Sequence, residues 1–409
     1  MHNHSTRQTP PGYDEALARL AAPPVAITPE AVLLADAAGR VLAEPIRADR
    51  DLPPFHRSML DGYAVTVASF AASMPVCGRL AAGEPPPDSV PPGHALEIAT
   101  GAALPPGLDA VVPHEQTDRG DPVRFECPPP EAWSGVHRRG ADAASGAVII
   151  EAGTRLGPQH LGLAASVGCA QVVCRPRPKV VLLTSGDEII DVDATPLPHQ
   201  VRNANRWQLQ AAIAALGGEL IDAAHLPDDP DVTHRAVGEG LAAADLLITV
   251  GGVSAGRRDE FPAAFAAHAV EPIVEGVRLQ PGRPIRVGRA PGGCLVLALP
   301  GNPVSALVCL VLFGWPLLEQ RAGRAGRLPW RPVTLVAAVR PNPRREAIRP
   351  ARLRPDGASA EVPRWAGSGD LVHTSATDGL VRLPVQSEPV APGTTLPFLP
   401  WPWSVGGGT

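Results

Sequence analysis

The stretch from residue 180 to residue 315 constrains the fold most, because strand-like and helix-like segments alternate along it. Two of its strand candidates are apolar without alternation of polar residues. Strands have this composition when both faces of a parallel sheet are buried, and the helical segments between them supply the crossovers. We therefore predict a parallel sheet with helices on both faces. Its strand candidates are residues 180–183, 219–224, 246–250 and 295–299.

Two of the helical segments carry start signals. Asn205 is predicted to cap a helix whose Leu209 and Ile213 share one face and which ends at two glycines. Asn302 precedes Pro303, and the missing N–H of a proline costs nothing at the first helical position. The helix that Asn302 would cap is apolar nearly all round, which predicts that it is buried.

Length and composition narrow the class of protein. A chain of 409 residues is too long for one core and implies roughly two to four domains. The net charge of −5 leaves no chain-wide basic surface, so we expect no nucleic-acid partner. The N-terminus has no apolar signal segment, the longest apolar run is interrupted, and the six cysteines show no C-x-x-C or zinc-like spacing. We expect a cytoplasmic protein with reduced thiols and no membrane contact.

Short β-prone runs dominate on either side of the alternating stretch. Residues 51–146 are cut by proline and glycine at short intervals and predict a β-domain inserted as a unit. Beyond residue 323 the same pattern predicts a second β-domain, and residues 13–20 form a helix candidate with an acidic first turn. Two polar segments, residues 58–64 and 100–115, are explained by turns alone, since Asp-Gly and Pro-Gly sequences make turns without a ligand.

Four loops follow the predicted strands, at the sheet edge where open α/β proteins bind ligands. Glycines let the backbone approach an anion, and neighbouring carboxylates suit a Mg²⁺–phosphate ligand because the metal joins acidic side chains to phosphate oxygens. Helix caps and solvated turns explain each loop singly, but not the convergence of four. The loops are residues 184–188, 228–231, 251–259 and 300–303. Their carboxylates are Asp187, Glu188, Asp228 and Asp259, and their backbone donors belong to Gly251, Gly252, Gly301 and Asn302.

Other ligand classes fit these loops less well. Zinc is disfavoured because no grouping of histidine and cysteine joins the predicted edge. No Gly-Lys-Ser/Thr follows the glycines as in a Walker A loop, and the glycine spacing of a dinucleotide fingerprint is missing after Gly252. The interpretation that remains is a phosphate- or oxyanion-bearing ligand bound in a way that differs from a Walker A loop and from a dinucleotide fingerprint.

Taken in order, the motifs of the chain resemble those of the molybdopterin molybdenumtransferase (molybdenum insertase) family, whose eukaryotic relative is the C-terminal domain of gephyrin. Each motif by itself is weak evidence for the family, but the whole set in this order is highly specific to it. The motifs are Leu-Pro-Pro-Phe at 52–55, Asp-Gly-Tyr-Ala at 61–64, Thr-Gly-Ala at 100–102, Asp-Ala-Val-Val at 109–112, Gly-Asp-Glu at 186–188, Gly-Gly-Val-Ser at 251–254, Pro-Gly at 281–282, Leu-Pro-Gly-Asn-Pro at 299–303 and Gly-Ser-Gly at 367–369.

The resemblance implies a multidomain α/β plus β architecture and an elongated homodimer. Each active cleft would lie between the sheet domain of one subunit and the inserted β-domain of the other. The implied parts are residues 1–50 (N-terminal helix and part of a linking domain), 51–146 (inserted β-domain), 147–176 (rest of the linking domain), 177–326 (α/β molybdopterin-binding domain) and 327–409 (C-terminal β-domain).

The resemblance also implies an enzyme of molybdenum cofactor biosynthesis. Family members insert molybdate into adenylylated molybdopterin and release AMP in a Mg²⁺-dependent step, and an adenylyltransferase and acceptor molybdoenzymes are candidate partners. By motif position the catalytic residues would be Asp61, Thr100, Glu188, Asp228 and Asp259, with Asp61 and Thr100 supplied by the partner subunit. The magnesium ligands would be Asp187, Glu188, Asp228 and Asp259. The substrate-binding residues would be Ser58, Asn205, Gly251, Gly252, Ser254, Arg283, Pro300, Gly301, Asn302, Pro303, Ser305, Arg349 and Ser368.

The chain departs from the family pattern near the implied cleft. Arg257 stands where an aspartate is usual, and Gln280 and Arg283 stand where lysines are usual. A retained fold does not guarantee retained chemistry, so two alternatives stay open. One is a non-catalytic paralogue that binds molybdopterin or the finished cofactor as a carrier or scaffold, and the other is an enzyme that acts on a different pterin or nucleotide.

Overall fold

The chain divides into two compact units. The computed structural model describes residues 9–21, 28–252, 260–364 and 367–404. One unit holds the described residues up to Pro29 together with those from Arg175 onwards, and the other holds Glu30–Cys174. Arg257, Ser254 and Asp259 lie outside the described residues.

The first helix, α1 (Tyr13–Leu20), belongs to the unit that contains the C-terminal half of the chain. It buries Tyr13, Ala16 and Leu20, which share one helical face, and the ring of Tyr13 meets Phe313 edge-on at 5.6 Å between centroids. At its acidic first turn the guanidinium of Arg382 donates to both carboxylate oxygens of Asp14, at 3.0 and 2.7 Å. The predicted helix over residues 13–20 is therefore confirmed.

The unit of residues 30–174 is built mainly from short strands. A three-stranded sheet, with Glu30–Leu33, Gln171–Arg175 and Val41–Leu42 in that order, shares one core with the helix α2 (Pro158–Ser166). A four-stranded sheet, with Val76–Leu80, Ala95–Ile98, Gly62–Val65 and Ala110–Pro113 in that order, carries the part predicted as a β-insert. Frequent prolines and glycines stop each strand early, as the sequence predicts. The strands are β1 Glu30–Leu33, β2 Val41–Leu42, β3 Ile46–Arg47, β4 Arg57–Ser58, β5 Gly62–Val65, β6 Ser73–Met74, β7 Val76–Leu80, β8 Ala95–Ile98, β9 Ala110–Pro113, β10 Val123–Arg124, β11 Val136–His137, β12 Val148–Ile150 and β13 Gln171–Arg175.

The other unit contains the predicted α/β sheet and a C-terminal β-barrel. Its strands are β14 Lys179–Ser185, β15 Ile189–Ile190, β16 Val201–Arg202, β17 Glu219–Leu226, β18 Leu246–Val250, β19 Glu271–Glu275, β20 Leu279–Gln280, β21 Arg286–Arg289, β22 Leu295–Leu299, β23 Arg331–Leu335, β24 Glu346–Leu353, β25 Ser359–Glu361, β26 Gly379–Leu383 and β27 Thr395–Pro400. Its helices are α3 Ala204–Ala215, α4 Pro230–Ala243, α5 Glu260–Ala267, α6 Pro303–Cys309, α7 Trp315–Arg321 and α8 Leu371–Thr374, and a π-helical turn, Leu310–Gly314, joins α6 to α7.

The central sheet has the order β17-β14-β18-β22-β21-β19. Its first four strands are parallel, as predicted, and successive residues of β14 face opposite cores. Val180 and Leu182 pack with α3 and the helix that begins at Pro303, while Val181 and Leu183 pack with α4 and α5. The predicted sheet with helices on both faces is confirmed.

Two antiparallel strands, β19 and β21, extend the sheet at one edge, and the sequence pattern does not predict them. Glu271, Glu275, Arg286 and Arg289 flank their buried valines, so the apolar signal of a buried strand is missing. Strand β19 forms the edge, where charges are tolerated because one side of the strand is left unpaired, and β21 lies between β19 and β22.

The helix from Pro303 to Arg321 is long and apolar enough to cross a membrane by composition, with a mean hydropathy of 1.5. In the structure 78% of the most apolar 18-residue segment of this helix is buried inside the protein. The predicted burial of this helix is confirmed, and the same burial accounts for its apolar composition.

The C-terminal strands close into a barrel. Strand β24 pairs with both β25 and β26, and the ring continues through β23 and β27. Strand β20 adds to β24 in parallel, which places the turn after β20 beside the barrel. The five-part domain division from the sequence stays a prediction.

Candidate active site

The described parts of the four predicted loops lie at one edge of the central sheet. They follow β14, β17, β18 and β22, which are mutually parallel neighbours, so their carboxyl ends point the same way. Such an edge, where the strands end and the helices begin, is the ordinary ligand-binding position of an open α/β sheet. We refer to these four loops as the rim.

Contacts between neighbouring loops join the rim into one surface. The backbone N–H of Asp228 donates to Asp187 Oδ1 at 3.1 Å, which ties the loop after β17 to the loop after β14. A methyl group added at Gly251 would lie 3.1 Å from the carbonyl oxygen of Ser185, and one added at Gly301 would lie 3.6 Å from the Cα of Gly251. The predicted convergence of the described parts of the four loops is therefore present.

The glycines of the loop after β18 have the backbone that the sequence pattern suggests. Gly251 and Gly252 adopt φ values of 87° and 58°, a region that side-chain-bearing residues rarely occupy. A methyl group at Gly252 would also approach the ring of Phe261 to 2.8 Å. Glycine is required at both positions for backbone shape and close packing.

The carboxylates of the rim offer only oxygen ligands, which suits Mg²⁺. Asp187 and Glu188 are exposed and Asp228 is half-buried. The Glu188 carboxylate folds back over Gly186, since a methyl group there would lie 2.8 Å from Glu188 Oε2. Among the described residues no three acidic, histidine or cysteine side chains form a ready metal cluster, and the fourth predicted ligand, Asp259, lies outside them. The described carboxylates have the oxygen ligands that Mg²⁺ prefers, but by themselves they do not form a metal site.

Asn205 does not cap α3, contrary to the sequence prediction. The cap is Asn203, whose side chain accepts from the N–H of Arg206 at 3.0 Å, so the helix begins two positions earlier than predicted. This leaves the Asn205 side chain free to donate from Nδ2 to the carbonyl oxygen of Gly301 at 2.7 Å. Asn205 thereby holds the loop after β22.

Ser368 reaches the same loop from the C-terminal part of the chain. Its hydroxyl accepts from Asn302 Nδ2 at 2.7 Å, and its carbonyl oxygen accepts from the N–H groups of Val304 and Ser305 at 3.0 and 3.3 Å. Asn302 is the N-cap residue of α6, as predicted, but its side chain makes no capping bond. The backbone of Ser368 performs the capping.

This arrangement changes which donors are available to an anion. Pro303 has no N–H, the amides of Val304 and Ser305 serve Ser368, and Ala306 donates to Asn302. The N–H groups of the first turn of α6 therefore all donate within the chain, and none of them is left for an anion. Gly301 and Asn302 are exposed, while Pro300 and Ser305 are buried, so the exposed turn is the part of this loop that a ligand can meet.

The two predicted arginines differ in environment. Arg349 lies on β24 opposite Val381, and partial burial lowers the pKa of its guanidinium. Arg283 is exposed in the turn between β20 and β21. Gln280, which replaces a lysine of the family pattern, accepts from Asn342 Nδ2 at 2.7 Å and so ties β20 to a turn of the C-terminal part.

The predicted residues of the other unit form a cluster of their own. Ser58 is 1% exposed and donates through Oγ to the carbonyl of Leu60 at 2.6 Å. Asp61 Oδ1 accepts from the N–H of Thr100 at 2.7 Å, and this bond holds the pKa of the Asp61 carboxyl below its usual range. The amide of Gly101 donates to the carbonyl of Ser58 at 2.9 Å. The two polar segments are thus one hydrogen-bonded structure, with Asp61 ionised at neutral pH.

Gln208 is a further residue of this site, and the sequence pattern did not predict it. Its Nε2 donates to Asn205 Oδ1 at 3.0 Å and to the carbonyl of Pro303 at 2.8 Å. The spacing of Asn205 and Gln208, three residues apart on one helix, is a signal that could have identified the pair, because side chains at that spacing are neighbours.

Comparison with known proteins supports one family. The chain matches the MoeA N-terminal region (domain I and II) at residues 12–168, a probable molybdopterin binding domain at 181–320, and the MoeA C-terminal region (domain IV) at 332–401. It is 34% identical over 392 residues to molybdopterin molybdenumtransferase 2 of Mycobacterium tuberculosis, covering 91% of this chain and 95% of the relative. The chain belongs to the molybdopterin molybdenumtransferase family. The resemblance seen in the sequence is confirmed, and the family is one of transferase enzymes.

Further relatives agree over nearly the whole chain. The molybdopterin molybdenumtransferase of Synechococcus elongatus is 32% identical over 392 residues, covering 92% of this chain and 95% of the relative. A crystal structure of a molybdopterin biosynthesis MoeA protein from Pyrococcus horikoshii is 25% identical with a TM-score of 0.82, covering 96% of this chain and 100% of that chain. The predicted multidomain α/β plus β fold is therefore confirmed over nearly the whole chain.

Proposed function

We propose that the enzyme inserts molybdate into adenylylated molybdopterin, releases AMP, and requires Mg²⁺ for this step. The observation that carries the proposal is the continuous rim, where Asp187 contacts the Asp228 backbone beside the exposed Gly301-Asn302 turn. Carboxylates and backbone amides in one place can hold a metal and a phosphate together. Family membership supplies the substrate class.

In this proposal Asp187, Glu188, Asp228 and Asp259 hold Mg²⁺. A bound Mg²⁺ would supply positive charge that stabilises the phosphate leaving as AMP. The substrate's phosphate would meet the amides of Gly252, Gly301 and Asn302. Gly251 would contribute its open backbone, because its own N–H donates to the Leu299 carbonyl at 3.2 Å. Ser254 would complete that side of the site, and Arg283, Arg349 and Ser368 would line its edge. Pro300, Pro303 and the buried Ser305 would shape the turn from behind.

The proposal assigns Ser58, Asp61 and Thr100 to the partner subunit's side of the cleft. Asp61 fits a role that needs a charge, because the Thr100 amide stabilises its ionised form. A cytoplasmic location, an adenylyltransferase and acceptor molybdoenzymes as partners belong to the same proposal.

The test of the proposed function is single-turnover AMP release from adenylylated molybdopterin with molybdate, with and without EDTA. We expect release with Mg²⁺ and none after chelation, and we expect the gene to restore molybdoenzyme activity in an insertase-deficient strain without excess molybdate. Tight molybdopterin binding without AMP release or complementation would refute the proposal and favour a carrier.

We further predict a homodimer, because the predicted site residues are divided between the two units of the chain. Sedimentation velocity at micromolar concentration should give the mass of two 42.5 kDa chains. Mixing an Asp61→Ala protein with a Glu188→Ala protein should restore part of the activity, because one cleft of the mixed dimer would then contain both native groups. A monomer, or no recovery in a mixed dimer, would contradict the shared cleft.

A further inference from the structure

Two amide side chains of α3, Asn205 and Gln208, hydrogen-bond to the turn that contains Gly301 and Asn302. Gln208 donates both protons of its Nε2, one to Asn205 Oδ1 at 3.0 Å and one to the Pro303 carbonyl at 2.8 Å. Asn205 in turn donates from Nδ2 to the Gly301 carbonyl at 2.7 Å. The three bonds form one directed network from a helix to the turn.

The network fixes which way the Asn205 amide points. Because the Gln208 nitrogen can only donate, the atom of Asn205 that faces it must be the oxygen, and the nitrogen of Asn205 must then face Gly301. Without Gln208 the Asn205 amide could rotate by 180° and present its oxygen to the Gly301 carbonyl, which would repel it.

Holding a carbonyl also aims the amide of the next residue. In a trans peptide the C=O and the N–H point in opposite directions. Gln208 holds the Pro303 carbonyl, and the N–H of Val304 accordingly points away to Ser368 at 3.0 Å. By the same geometry, the Asn205 bond to Gly301 turns the N–H of Asn302 away from α3, towards the exposed side of the turn.

We propose that Gln208 is a positioning residue for substrate, which sets the orientation of the Asn302 amide through Asn205 and locks the turn of residues 300–303. This inference rests on the proposed function, since it takes that turn as part of the binding surface. Gln208 need not touch the substrate, because it acts through two backbone carbonyls.

Three variants separate hydrogen bonding from packing. Gln208→Met keeps the length of the side chain and removes both donors, and we expect the KM for adenylylated molybdopterin to rise about tenfold with little change in kcat, the effect of one or two lost hydrogen bonds. Gln208→Lys keeps a donor and should remain within about threefold of the unmodified KM. The matched control is Gln210→Met, an exposed glutamine two positions along the same helix, which should leave the KM unchanged.

Gln208→Glu gives a pH-dependent readout. The carboxylate has no proton to donate to the Pro303 carbonyl or to Asn205 Oδ1, so it would repel the first and favour rotation of the Asn205 amide, whereas protonation would restore one donor. We therefore expect the KM of this variant, relative to the unmodified enzyme, to fall as the pH is lowered from 8 to 5.5. Gln208→Met should show no such trend, because it has no proton to gain.

Hydrogen exchange at the amides of Gly301, Asn302, Val304 and Ser305 tests the structural part without turnover. Gln208→Met should exchange faster than the unmodified protein there, and Gln210→Met should not. An unchanged KM in Gln208→Met, or a KM in Gln208→Lys as high as that of Gln208→Met, would overturn the inference. If the unmodified enzyme releases no AMP, the proposed function is refuted and exchange at these amides decides the positioning role alone.

Discussion

Replacing Asp228 or Glu188 with alanine is expected to lower Mg²⁺-dependent AMP release on the order of 10²- to 10³-fold while leaving the fold intact. A metal-held charge stabilises a developing phosphate charge by several kcal/mol, and each ~1.4 kcal/mol corresponds to a factor of ten in rate. The measurement is single-turnover AMP release over a Mg²⁺ titration, with thermal unfolding recorded for each variant.

The structure makes Asp228→Ala the cleaner of the two tests. The contact between the loops after β14 and β17 uses the backbone N–H of Asp228, so the substitution keeps it. Asp187→Ala would remove the acceptor and loosen the loop as well, which would mix a structural effect with a chemical one. Asp193→Ala removes an exposed carboxylate from the segment after Glu188 and serves as the matched control. AMP release at the unmodified rate in Asp228→Ala and Glu188→Ala would place the metal elsewhere.

Gly62→Ala is expected to destabilise the unit of residues 30–174 by about 3 kcal/mol or more, among the largest effects of a single methyl group. The added methyl would lie 2.0 Å from the Val112 carbonyl oxygen and 2.9 Å from the Pro113 Cα. Both belong to β9, which pairs with β5 at this residue, so relief requires the two strands to separate. Urea unfolding followed by tryptophan fluorescence, with hydrogen exchange to identify the unit that opens, measures the loss.

A second glycine of the same unit supplies the control. Gly162 lies within α2 with no atom of another part of the chain within 4 Å of an added methyl group. Gly162→Ala should therefore stabilise the protein by roughly 0.5–1 kcal/mol, the usual gain of alanine over glycine inside a helix. Equal stability of Gly62→Ala and the unmodified protein would show that the β5–β9 pairing yields at this position.

Gly62 also illustrates a limit of local sequence interpretation. The Asp-Gly pair at residues 61–62 suggested a turn, and the structure instead begins β5 at Gly62. Glycine is needed there because a neighbouring strand comes close, and that neighbour lies fifty residues further along the chain. Asp61, beside it, is fixed by Thr100, which lies 39 residues further along the chain.

The sequence by itself determined the parallel core of the sheet. Strands such as Leu246–Val250 and Leu295–Leu299 are apolar at nearly every position, and only burial on both faces accounts for that composition. The order of strands and helices then places the ends of the parallel strands at one edge. The rim of carboxylates and glycines follows from this pattern, because it depends on connectivity rather than on side-chain contacts.

Tertiary structure alone decided how the site is arranged. Asn203 and Asn205 are equally good caps by local chemistry, and the choice of Asn203 leaves Asn205 to hold Gly301. By local chemistry the N–H groups at the start of α6 could bind an anion, but Ser368, more than sixty residues away in sequence, accepts from two of them. Local propensity fixes where a helix can start, whereas a hydrogen bond between distant residues depends on the packed positions of whole elements.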